Sequence, residues 1–176
     1  MKKREIWISA VIIAAAVLIL MLFSGSSGKG QIKIDAGDAE ATLRLRGGWS
    51  NSQLIKSKAE PVIIRSGTYK PVRLSISMKQ DGDSWLLYSS GPWGDLSTIR
   101  IRKDNSTVLE LGQSFLIKPS ISKSSSLASI GLSIIGRAGE HYGAVVTKNG
   151  KRLPTPKLKI VDEAGNVLAS GRFEYG

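Results

Sequence analysis

From residue 31 onward, apolar and polar positions alternate with a period of two. This spacing sends successive side chains to opposite faces of a strand. Residues 31–35 put Ile32 and Ile34 on one face and Lys33 on the other, and residues 39–46 put Leu43 and Leu45 inward with Arg44 and Arg46 outward. Gly47-Gly48 stops the second strand, and residues 49–60, without a clear period, read as a loop with at most a helical turn. Residues 61–65 form a short apolar run closed by Ser66-Gly67. The cleanest alternation spans 71–79, with Val72, Leu74, Ile76 and Met78 on one side and Arg73, Ser75, Ser77 and Lys79 on the other. One wet face and one dry face is the signature of an antiparallel strand. Asp81-Gly82-Asp83 turns the chain into a partner strand over 84–89, with Trp85 assigned to the core, and Gly91-Pro92-Trp93-Gly94 forms a second turn. Residues 97–102 and 106–111 are then expected to pair around Lys103-Asp104-Asn105, with Ile99 and Ile101 inward and Arg100 and Arg102 outward.

Gly112-Gln113 is the preferred boundary between two units, 31–112 and 113–176, with one continuous sheet across it as the alternative. Past it, 115–117 reads as a short strand, 120–126 as a Ser/Lys loop, and 128–134 as a strand with Ile130, Leu132 and Ile134 on one face. Asn149-Gly150 between 144–148 and 151–153 is the strongest local hairpin signal, because both residues tolerate the positive φ angles of a type I′ turn. Pro154 and Pro156 impose an extended edge or crossover. A last hairpin joins 157–161 to 167–175 around Asp162-Glu163-Ala164-Gly165-Asn166. The expected fold is therefore all-β: one or two small antiparallel β-sandwich domains.

One stretch breaks the period. Residues 6–23 (IWISAVIIAAAVLILMLF) hold eighteen residues of which only Ser9 is polar, behind Lys2, Lys3 and Arg4. As a helix they reach ~27 Å, enough for a thin hydrocarbon core, and the positive-inside rule keeps their start in the cytoplasm. Either the segment is retained as a single-pass signal anchor, or it is cleaved within Ser24-Gly25-Ser26-Ser27-Gly28, which would release a secreted protein. Its length and its large residues up to Met21, Leu22 and Phe23 favour the anchor, since a secretory apolar core runs ~7–15 residues. Residues 24–30 form a flexible linker, and the rest is expected outside the cytoplasm, periplasmic or extracellular.

Net charge is +11, of which Lys2, Lys3, Arg4 and Glu5 supply +2 and the exported part +9. Such an excess steers anionic partners toward the chain. With no cysteine, no disulfide contributes and stability must come from burial.

Ser66-Gly67-Thr68-Tyr69, between an apolar strand and the long alternating one, resembles the Gly-Thr-Tyr turn of prealbumin-like β-sandwich modules, the carboxypeptidase-regulatory-like accessory domains. That likeness covers at most residues 31–112. The closing VLASGRFEYG is similar to the last strand of bacterial Ig-like modules. Both resemblances imply accessory or adhesive domains and bring no catalytic residue to this chain.

The residue inventory points the same way. The one histidine, His141, would have to serve as base in any Ser-His-Asp site, without a Gly-x-Ser-x-Gly elbow. A transition-metal site needs clustered histidine, cysteine or carboxylate ligands, and one imidazole with no thiolate argues against zinc. Asp35, Asp38 and Glu40, and the Asp81–Asp83 turn, lack EF-hand spacing and suit turns. No phosphate-binding Gly-rich motif is present, and fourteen acids contain no distinguishable pair for glycoside hydrolysis. The expectation is a non-enzyme without metal or cofactor. Its candidate contacts are Arg44, Arg46, Arg73, Arg100, Arg102, Lys157 and Lys159, joined by Lys33 at outward strand positions. They would recognise anionic lipid headgroups, acidic polysaccharide or an envelope protein, with nucleic acid the least fitting partner for an exported domain. The bland reading is that these cations guard strand edges and maintain solubility. A carbohydrate-binding module using the loop residues Trp49 and Trp93 is the alternative, and a small envelope hydrolase a remote one. Salt separates the first two, since screening weakens charge-steered binding and not stacking on a neutral glycan.

Overall fold

The computed structural model describes residues 28–48, 52–58, 60–112, 114–125 and 127–174. The apolar run at 6–23, the linker up to residue 27 and Trp49 lie outside the described residues. Within them the protein is all-β, interrupted by one 3₁₀ turn at Gly94–Ser97. No helix among them is long and apolar enough to cross a membrane.

Alternation in the sequence becomes alternation in burial. β1 (Lys29–Asp35) buries Ile32 and Ile34, and β2 (Glu40–Arg46) buries Ala41, Leu43 and Leu45 while Arg44 and Arg46 stay in solvent. The largest sheet runs in the order β3 (Ser52–Lys56), β2, β5 (Gly67–Gln80), β6 (Asp83–Ser89), β12 (Thr147–Lys148), β13 (Lys151–Arg152). Off this order, β7 (Ile99–Ile101) pairs with the start of β5. A smaller sheet sets β1 between β4 (Val62–Arg65), antiparallel, and β8 (Ser106–Glu110), parallel. The remaining strands are β9 (Leu116–Ser124), β10 (Leu127–Ile135) and β11 (His141–Tyr142) in one sheet, and the hairpin of β14 (Lys157–Val161) and β15 (Val167–Arg172). One buried apolar cluster draws Ile32, Ile34 and Leu109 from the small sheet and Leu43, Ile55, Leu74 and Ile76 from the large one.

The two tight turns expected from Asp-Gly and Asn-Gly form as such: Asp81 and Gly82 have φ of 52° and 82°, Asn149 and Gly150 of 50° and 75°. Six expectations are corrected. The presumed loop at 49–60 contains β3, paired along β2. Its adjacent apolar residues point opposite ways, Ile55 fully buried and Leu54 half exposed, so no alternation was visible. The Gly67-Thr68-Tyr69 segment is not a turn but the start of β5, which runs through Pro71. Leu45 lies opposite Pro71 and Arg44 opposite Arg73, so Val72 is an extra residue bulging outward instead of facing the core. The strands β7 and β8 do not pair with each other: β7 joins β5, and the chain crosses at Lys103-Asp104-Asn105 so that β8 lies parallel to β1. The Ser/Lys loop at 120–126 is mostly β9, nine residues in unbroken register with β10. Its serines carry no apolar period, and backbone pairing rather than burial holds it. Trp85, assigned to the core, is half buried at its margin with the Lys148 ammonium 5.2 Å from its ring centroid.

Glu140 ties the later strands to the earlier ones. It is fully buried. Its carboxylate accepts from the Tyr142 hydroxyl at 2.6 Å and from the Ala138 N–H at 2.9 Å. A Cβ at residue 136 would collide with that carboxylate, which explains Gly136. Tyr142 belongs to the common core and meets Phe115 edge-on at 5.2 Å. The adjoining backbone is stitched to 88–92: His141 N–H donates to the Pro92 carbonyl, Gly143 N–H to that of Tyr88, and Ser89 Oγ to that of His141.

Leu43→Ala, at a fully buried position, is expected to lose about 2–5 kcal/mol in denaturant unfolding. Leu54→Ala on the wet face of β3 should stay within about 0.5 kcal/mol. Burial first, then the bond to Glu140, raises the Tyr142 pKa far above that of a free tyrosine. Because the folded pKa is the raised one, the stabilisation is complete below about pH 10 and declines as the unfolded tyrosine ionises above it. Alkaline denaturation of the native chain should therefore be steeper than that of Tyr142→Phe. Glu140→Ala, which strands the buried Tyr142 hydroxyl, is expected to cost about 1–3 kcal/mol.

Candidate anion-binding face

The pleat that buries Leu43 and Leu45 forces Arg44 and Arg46 outward, and the register decides what they meet. Arg44 lies directly opposite Arg73 on β5, and Arg46 opposite Lys70. Thr42 of β2 is opposite Lys56 on β3, and Thr68 of β5 is opposite Arg100 on β7. Directly opposed residues share a face. Arg44, Arg46, Lys56, Lys70, Arg73 and Arg100 therefore stand together, all exposed, on the outer face of the large sheet. Like charges directly opposite each other destabilise a sheet. The ion pairs found among the described residues, Arg137–Glu110 at 2.7 Å and Lys148–Asp83 at 2.6 Å, involve none of the six. Among the described residues of β2, Glu40 is the acid on this face, at the start of the strand opposite Ser77.

The face is not purely ionic. The Arg73 guanidinium lies 4.6 Å from the Tyr88 ring centroid, a cation–π contact between β5 and β6. Leu54, opposite Arg44, and the bulged Val72 add exposed apolar surface between the cations.

The other candidate residues are placed elsewhere. Lys33 projects from β1 on the small sheet. Arg102 follows β7 at the crossing, its carbonyl accepting from Asn105 N–H. Lys157 and Lys159 are exposed on β14 in the separate hairpin. Trp93 precedes the 3₁₀ turn, half buried against the common core, and Trp49 lies outside the described residues. Lys56 and Lys70 were not read from the sequence as part of a face. The first sits in an aperiodic stretch and the second beside an apparent turn, so only strand pairing exposes their role.

The turn acids are engaged locally. Asp35 Oδ1 accepts from Gly37 N–H, and Asp83 accepts from Asn149 and pairs with Lys148. The Lys148 bond, followed by that of Asn149, holds the Asp83 pKa below the ordinary carboxylate value. Among the described residues no cluster of three histidine, cysteine or acidic side chains could hold a metal ion.

No protein-family model matches the chain, and no curated protein or solved structure matches it.

A double-mutant cycle between Arg73→Ala and Tyr88→Ala, read by denaturant unfolding, should give a coupling of about 0.5–1 kcal/mol. Strict additivity would mean that Tyr88 does not orient Arg73.

Proposed function

We propose that the protein is a membrane-anchored, non-enzymatic interaction module that holds anionic envelope components against the outer face of its large sheet. Its two principal sheets are read as the layers of a β-sandwich, because both contribute to one buried cluster. The apolar run at 6–23 serves as the anchor, with the β region outside the cytoplasm. The observation that carries the reading is the six-cation face, in which Arg44 opposes Arg73 and Arg46 opposes Lys70 across strands and, among the described residues, none of the six is salt-bridged to a carboxylate. Scattered solubilising charge has no reason to stack arginine opposite arginine, whereas a polyanion or an anionic headgroup layer would relieve the repulsion. Tyr88, Leu54 and Val72 provide apolar contact beside the charges, suited to a ligand with both anionic and apolar parts.

The test uses the full chain in phosphatidylcholine nanodiscs, with soluble polygalacturonate and phosphatidylglycerol vesicles as separate probes. Binding to at least one is expected, weakening steeply as the Debye length falls from about 10 Å at 0.1 M salt to about 3 Å at 1 M. At about 1 kcal/mol per cation near an anionic surface, the combined Arg44→Glu, Arg46→Glu and Arg73→Glu variant should bind at least about 100-fold more weakly. Salt-independent binding, or undiminished binding by that variant, would exclude the proposal.

A further inference from the structure

Several strand ends meet around Gly28. β1 and β5 start at this end of the molecule, β4 and β7 finish there, and the crossing at Lys103-Asp104-Asn105 leads into β8. Lys29 lies directly opposite Arg65. The Gly28 carbonyl accepts from Ser66 N–H at 2.7 Å, and the Lys29 carbonyl from Asp104 N–H at 2.9 Å. A Cβ at residue 28 would collide with the Lys103 side chain, and one at residue 30 would strike the Arg102 carbonyl. Tyr69 fixes the end of β4 by donating to the Arg65 carbonyl at 2.9 Å. Lys29, Arg65, Arg102 and Lys103 are thus gathered at one pole, all exposed, with Asp104 as the acid of the crossing. None of the four cations forms an ion pair among the described residues.

Charge changes sign along the outer face of the small sheet. Lys29 and Arg65 stand at one end, Lys33 follows, and Asp35 lies opposite Glu110 at the other. Ile63, 62% exposed and opposite Gln31, sets an apolar side chain next to the basic end. The position of that end in the chain says what it faces. Residues 24–27 alone separate Phe23, the last of the apolar run, from Gly28. Five peptide steps span at most ~18 Å. A bilayer holding residues 6–23 therefore lies beside the basic pole and not beside the acidic end. An acidic headgroup layer attracts each cation near it, within a Debye length of about 10 Å, and relieves the repulsion between the opposed Lys29 and Arg65. We propose that Lys29, Arg65, Arg102 and Lys103 dock on acidic phospholipid headgroups of the bilayer that carries residues 6–23. Docking stands the strands away from the membrane and leaves the six-cation face, which shares none of these residues, free for its own ligand. It rests on the anchor proposed above for residues 6–23.

The cysteine-free sequence allows a single label to be placed at will. A fluorophore is attached at Ser106→Cys, beside the basic pole, or at Gln80→Cys, at the far end of β5; both positions are exposed. The full chain is held in nanodiscs of phosphatidylcholine, alone or with about one third phosphatidylglycerol, containing a lipid with a nitroxide headgroup as quencher. Quenching at residue 106 is expected to rise at least about twofold with phosphatidylglycerol and to revert at about 1 M salt, where the Debye length is about 3 Å. Residue 80 should not respond. The combined Lys29→Glu, Arg65→Glu and Lys103→Glu variant should weaken docking at least about 100-fold and abolish the response. The combined Arg44→Glu, Arg46→Glu and Arg73→Glu variant should keep it. Should the pole variant fail to fold, glutamine at the same three positions takes its place under the same criterion. A chain that leaves the discs overturns the anchor, and the docking with it. A chain that stays in the discs while residue 106 ignores phosphatidylglycerol or salt, or responds in the pole variant, overturns the docking alone. So does a response lost in the Arg44, Arg46 and Arg73 variant, which would put the lipid on the large sheet.

Discussion

The pleat of β2 and β5 is the constraint on which the rest of the structure depends. Each residue that sends a side chain into the core obliges its neighbours to face water, so Leu43 and Leu45 inward dictate Arg44 and Arg46 outward. Antiparallel pairing then fixes partners on both faces at once, aligning Leu43 with Leu74 inside and Arg44 with Arg73 outside. The basic face is thus the reverse side of the best-buried part of the molecule. Its cations are carried on strands held by a fully buried layer, which limits how far they can separate to escape one another.

The bulge at Val72 adjusts this arrangement. One extra residue on β5 lets Tyr69 and Pro71 face inward before it and Leu74 and Ile76 after it. Without it, the start of β5 would be out of phase with Leu45 and the pairing of Lys70 with Arg46 would be lost. Tyr69 then donates to the Arg65 carbonyl at 2.9 Å, and burial raises its pKa despite the nearby Arg65. Core, bulge and charged face are a single solution to the two-residue period.

The later strands are held differently. Tyr142 and Glu140 plug into the common core, and β12 extends the large sheet beside β6. Beyond these attachments, β9, β14 and β15 are held largely by backbone pairing and leave apolar side chains in solvent.

The sequence by itself determined the all-β class, most strand positions, both Gly-containing tight turns and which arginines point away from the core. These are local properties, since alternation and turn chemistry act over a few residues. It did not disclose β3, the full length of β9, the crossing between β7 and β8, or the company each cation keeps. β3 is apolar on both faces and β9 is serine-rich, so neither carries a readable period. The crossing follows from which sheet offers each strand a partner, a choice made by residues tens of positions away. Arg44, Arg73 and Arg100 are scattered in the chain and were legible only as outward residues. Register alone made neighbours of them and added Lys56 and Lys70, because directly opposed positions in a sheet are set by pairing between strands and by no feature within one.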